Sequence, residues 1–147
     1  MTPPRRDQRG QVGGLEAIAF GLLIFVIGTL LVANAWAVVD AKFAVETAAR
    51  QAARTYVETG RSQDDAAAAA TAAGLASLSS SRRNDEATVV VRGAYERCAR
   101  IAATASTKVP YVRLPLIGHT GSGFRVAATH TEILDPYREG IPGEAHC

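Results

Sequence analysis

The chain is 147 residues long, with 16 Lys+Arg against 14 Asp+Glu and only 20% charged residues. That length accommodates one small folded unit and excludes a multidomain enzyme. Hydrophobic residues make up 48%, aromatic residues 6%, and mean hydropathy is +0.05, so the apolar content must be concentrated in part of the chain. A formal charge of +2 is no electrostatic footprint for nucleic acid, and residues 40–147, with 13 basic and 12 acidic side chains, add none.

The apolar content lies near the N-terminus, where residues 17–39 form a run of 23 without a charge. As a helix such a run is about 34 Å long, enough to cross a hydrocarbon core of about 30 Å with modest tilt. Arg5, Arg6 and Arg9 precede it against the single Asp7, whereas Asp40, Lys42 and Glu46 follow it without a positive excess. The basic flank predicts a cytoplasmic N-terminus and an extracytoplasmic C-terminal unit in the cell membrane. Residues 1–13 then form a basic leader, 14–39 a transmembrane helix and 40–147 the outer domain. The alternative is a signal peptide cut near Ala35, but the apolar run is longer than a usual signal core.

The helical pattern continues past the span, because residues 40–58 contain neither Pro nor Gly. A single helix over residues 15–59 is about 67 Å long. Lys42, Glu46, Arg50, Arg54 and Glu58 recur at four-residue spacing, which pairs Lys42 with Glu46, Glu46 with Arg50 and Arg54 with Glu58 on a solvated face. Val45, Ala48, Ala49, Ala52, Ala53, Tyr56 and Val57 make the apolar side, and Gly60 supplies a left-handed stop.

Within the span Gly14, Gly21, Gly28 and Ala35 recur every seven residues, a seam of small residues on which a neighbouring helix can pack closely. Small residues are also common in membrane helices without such a role. Trp36 reads as an anchor at the outer interface. Glu16, an ionisable group at the entrance to an apolar helix, is a functional candidate; it also fits a headgroup-layer position favoured by the helix N-terminus.

The stretch Arg9-Gly10-Gln11-Val12-Gly13-Gly14-Leu15-Glu16, leading into the apolar run and its Ala-rich extension, resembles the N-terminus of TadE-like proteins. These are minor pilins or pseudopilins of the Tad (Flp) pilus assembly system. The resemblance covers the first 60 residues. It extends more weakly to Ala127-Ala128-Thr129-His130-Thr131-Glu132 and Asp135-Pro136-Tyr137-Arg138, which look like the closing strand and tail of such domains. It implies cleavage by a prepilin peptidase between Gly10 and Gln11, and a role for Glu16 in pairing with the new N-terminal amine of a neighbouring subunit. It further implies other pilin-like subunits and Tad assembly platform proteins as partners beside the lipid bilayer. One departure stands: the family's Glu is commonly the fifth residue after the scissile Gly, whereas Glu16 is the sixth after Gly10.

Beyond Gly60, Ser62-Gln63-Asp64-Asp65 has capping-box form ahead of an Ala run, which predicts a second helix to about Leu78. Residues 79–86 read as a loop. Strand character returns at residues 87–93, more weakly at 97–109, and as clean alternation at 124–133, with Phe124, Val126, Ala128 and His130 on one face and Arg125, Thr129 and Thr131 on the other. Residues 109–123 form a loop whose Leu114, Leu116 and Ile117 are free to dock on a core or a surface. The expected fold is α+β: a long N-terminal transmembrane helix continuing into a small pilin-like domain, with a second helix and a three- or four-stranded antiparallel sheet.

No catalytic or nucleotide-binding signature is present. His130 and Glu132 share a strand face, but without a third ligand they read as a polar pair rather than a metal or acid/base centre. No metal or cofactor is implied, and the chain reads as a non-enzyme. Cys98 and Cys147 invite a disulfide in an extracytoplasmic setting, with a free thiol or an intermolecular bridge as open alternatives. The resemblance makes assembly the leading function; the competing reading is a binding or redox module for which the helix is a simple tether.

Overall fold

The computed structural model describes residues 12–60, 62–79, 86–109, 123–144 and 146–147. Gly10 and Gln11, the arginines of the leader, and the loop residues Leu114, Leu116 and Ile117 lie outside the described residues. The protein is α+β, with α1 (Val12–Glu58), α2 (Gln63–Ser79), β1 (Thr88–Arg92), β2 (Arg100–Val109) and β3 (Phe124–Ile133). The three strands form one antiparallel sheet in the order β1-β2-β3. The chain divides into two compact units, Met1–Trp36 and Ala37–Cys147.

In the second unit, the C-terminal part of α1 supplies the core through Ala41, Val45, Ala48, Ala49, Ala52, Ala53 and Tyr56, all buried. Their three- and four-residue spacing puts them on one stripe, the arrangement by which a helix covers a core. Most are alanines, so the backbones pack closely, but each contributes little apolar area. The opposite face carries the ion pairs Lys42–Glu46 at 3.9 Å, Arg50–Glu46 at 3.9 Å and Arg54–Glu58 at 2.8 Å. These are exposed, and solvent screening leaves such pairs little net effect on stability.

Gly60 ends the run at φ 95°, a left-handed conformation that L side chains adopt at a cost. The chain then re-enters a helix at once. Ser62 caps α2, its Oγ accepting from the Asp65 amide at 3.2 Å, with Asp64 and Asp65 in the first turn favoured by the helix dipole. Ala66, Ala70, Gly74 and Leu78 form the buried stripe of α2. A Cβ at Gly74 would lie 3.0 Å from both Val89 methyls and 3.2 Å from the Ala52 Cβ, so α2 sits against both α1 and β1 at this point.

The sheet turns alternate side chains toward the helices. Val89 on β1, Ile101, Ala103, Ala105, Thr107 and Val109 on β2, and Ala128 on β3 are buried. The register sets Ala103 opposite His130 and Ala105 opposite Ala128, so Phe124, Val126, Ala128 and His130 do share the helix-facing side. Strand β2 begins at Arg100 rather than Arg97. The reason is tertiary: Cys98 lies at φ 62°, and the Arg97 and Cys98 amides donate to Pro142 and Leu134 carbonyls, which takes those residues out of the ladder.

Candidate functional site

No described side chain from Glu16 to Val39 is buried, and Ile18, Phe20, Leu22, Ile24, Phe25, Leu31 and Val32 are all largely exposed. The helix that carries them is long and apolar enough to span a membrane. Two polar residues within the apolar run are satisfied inside the helix: Thr29 Oγ1 donates to the Phe25 carbonyl at 2.8 Å, and Asn34 Nδ2 to the Leu30 carbonyl at 2.9 Å. Bonds of this kind are what hydrocarbon demands, because an unpaired donor there costs several kcal/mol, roughly as in any apolar medium.

The small-residue seam is open. A Cβ built at Gly14, Gly21 or Gly28 would meet nothing within 4 Å, and Ala35 is exposed. Trp36 is 72% exposed, and Glu16 is also exposed.

A second cluster, invisible in the sequence, closes the far end of α1. The last carbonyls of a helix lack intrahelical partners. Here a distant segment supplies one: Arg138 donates through Nη1 to the Val57 carbonyl, and its Nη2 donates at 2.9 Å to the carbonyl of Gly60, just past the helix, which also accepts from the Tyr95 hydroxyl at 2.8 Å. The Arg138 guanidinium also lies 5.4 Å from the Tyr95 ring centroid, within cation–π range. Arg97 holds the tail in turn, donating through Nε to the Arg138 carbonyl at 3.0 Å and through Nη1 to Gly143 at 3.4 Å. A Cys98–Cys147 disulfide ties the end of the tail to the same place. Arg138 and Val57 are 81 residues apart, so no local pattern signals the contact.

Tyr56 packs edge-on against Tyr95, ring centroids 5.6 Å apart at 88°. Burial pushes its phenol above the usual tyrosine value, with the neighbouring Tyr95 as the smaller cause. A raised acid pKa means stability that is present below about pH 10, the ordinary tyrosine value, and is lost as pH climbs through the raised one. The Tyr56→Phe variant should therefore be close to wild type at pH 7 and unfold at a higher pH in an alkaline titration followed by circular dichroism. Equal alkaline midpoints would remove Tyr56 as the cause.

His130 Nε2 lies 3.3 Å from Glu132 Oε1, both partly exposed. The hydrogen bond and charge of Glu58 favour the charged form of Arg54, with Glu132 as the smallest contributor. Among the described residues there is no group of three or more His, Cys, Asp or Glu that could hold a metal ion. Lys42 reaches across to β3, its Nζ donating to the Ala127 carbonyl at 2.8 Å. No protein-family model, curated protein or solved structure matches the chain.

Proposed function

We propose that this chain is a membrane-anchored minor pilin or pseudopilin-like component of a Tad-type (Flp) pilus assembly or secretion system, and that it acts by helix packing. The observation that carries the reading is α1 itself. One continuous helix, Val12–Glu58, is uncovered along its apolar first half and lines the core of the α+β unit with its second half. An ordinary tether needs no helical continuity into the domain it holds. The Cys98–Cys147 bond adds support, because structural disulfides persist on the oxidising side of a membrane.

In this role the N-terminus stays cytoplasmic, a prepilin peptidase cuts between Gly10 and Gln11, and Glu16 pairs with the freed amine of a neighbouring pilin-like subunit. The open seam of Gly14, Gly21 and Gly28 then takes the neighbour's helix, where close backbone approach replaces the hydrophobic gain that lipid cannot give. The test is to replace Gly21 and Gly28 together by Leu and recover partners from the native membrane. Membrane insertion should persist while co-purifying pilin-like subunits fall to background; unchanged partners would favour a tethered binding or redox module. Intact-mass analysis of the wild type should show a start at Gln11, and a start near Trp36 would overturn the reading.

A further inference from the structure

Among the described residues no helix packs on the second face of the sheet, where Ser106 is buried and Arg92, Arg100 and Arg125 are exposed. Register places Arg92 of β1, Arg100 and Lys108 of β2 and Arg125 of β3 on it, since Arg92 pairs with Ala102 and Lys108 with Arg125. No strand residue on this face is Asp or Glu. Lys108 is engaged by Glu86 at 2.8 Å and Arg125 reaches Ser106, whereas Arg92 and Arg100 are exposed and make no ion pair among the described residues. The face also carries no Phe, Tyr or Trp, so it offers no stacking platform for a base or a sugar ring.

The tail of the same unit has the opposite character. Glu96, Glu139 and Glu144 are exposed there and make no ion pair among the described residues. The cations beside them are spent elsewhere: Arg97 and Arg138 point their guanidinium groups at backbone carbonyls. The disulfide and these bonds hold the acidic segment in place, which lowers the ordering cost of docking it.

From these two surfaces we infer that the cationic sheet face of one copy receives the acidic tail segment of a second copy of this chain. Pairing two such faces about a two-fold axis would set like charges against each other, so the contact is face-to-tail. Such a contact leaves one face and one tail free and propagates into a row. Strand β2 is ten residues long, about 33 Å, and three strands make a patch smaller than the roughly 800 Å² per partner of a stable interface. The contact therefore works together with helix packing in a shared membrane, which supplies effective concentration; in this it rests on the assembly reading.

The test uses full-length, differently tagged copies co-expressed in one membrane and recovered through one tag. Arg92→Glu with Arg100→Glu in both copies should lower recovery about thirtyfold, the effect of two exposed ion pairs at the upper end of their strength. Glu139→Arg with Glu144→Arg in both copies should do the same. One copy of each type should restore recovery, because every acidic surface again meets a basic one. An intact disulfide by non-reducing mass analysis and unchanged circular dichroism establish that each variant is folded, and Arg92→Gln with Arg100→Gln should fall between. Wild-type recovery of either homotypic variant, or failure of the mixture to restore it, overturns the inference. Unchanged recovery with weakened binding to polyphosphate also overturns it and assigns the face to an anionic polymer. The Gly21→Leu, Gly28→Leu chain separates the two levels: if it loses nothing while the charge exchange behaves as stated, helix packing fails and the domain contact stands.

Discussion

Replacing Cys98 and Cys147 together by serine should lower the stability of the Ala37–Cys147 unit by about 4 kcal/mol, the chain-entropy value for a loop of this size. The bond closes a separation of 49 residues, and the unit has little else of comparable strength. Its core is built largely of alanine, and the largest fully buried side chains are Leu78, Ile101, Leu134, Val45 and Thr107. A core so poor in large side chains draws modest hydrophobic stabilisation, at about 25 cal/mol for each Å² buried. The cross-link therefore carries an unusual share, and the thermal midpoint should fall by about 15 °C. Loss should begin where the bond acts. Hydrogen exchange on the full-length protein should show the Arg97 and Cys98 amides, which donate to Pro142 and Leu134, losing protection before the β1–β2 ladder. An unchanged midpoint in the double-serine protein would mean that Arg97, Arg138 and buried Leu134 and Ile141 hold the tail without it.

Gly60→Ala should destabilise the unit by about 3 kcal/mol, from strain and overpacking together. At φ 95° an alanine is strained whatever the space, and its Cβ would lie 2.7 Å from the Ala66 nitrogen and 2.8 Å from the Ala66 Cα. Both neighbours are backbone, so relief requires α2 to move as a body, which would disturb the Gly74 approach to Ala52 and Val89. The Gly60 carbonyl is also the acceptor for Arg138 and Tyr95, so any shift loosens the cap of α1. Urea unfolding of the full-length chain, followed by tyrosine fluorescence, should show the midpoint falling with little change in slope. A wild-type midpoint would show that the α1–α2 turn relaxes without disturbing the packing.

Short-range features are legible in the amino-acid sequence alone. The uncharged run, the four-residue charge spacing, the Ala stripe, Gly60 as a stop, Ser62 as a cap and the alternation of β3 all express interactions within one or two turns or along one strand. The pairs Lys42–Glu46, Arg50–Glu46 and Arg54–Glu58 follow from spacing alone. Strand β2 starts three residues later than its residue pattern suggests, because the amides of Arg97 and Cys98 answer to a tail some 40 residues away. Arg138 carries no local sign of its role: an arginine after Asp135-Pro136-Tyr137 looks like any solvated cation until the fold brings the end of α1 beneath it.

The sequence by itself determined that an apolar helix of membrane-spanning length, with a seam of small residues, runs on into an α+β unit, since composition and period decide such things without reference to distant chain. The tertiary structure alone decided which carbonyls Arg138 and Arg97 satisfy, that Cys98 meets Cys147, and that Arg92 and Arg100 share one sheet face while Glu139 and Glu144 make no ion pair among the described residues. Each of those depends on loop closure over tens of residues, and a contact of that kind is specified by the packing of the whole unit and not by the identity of either partner.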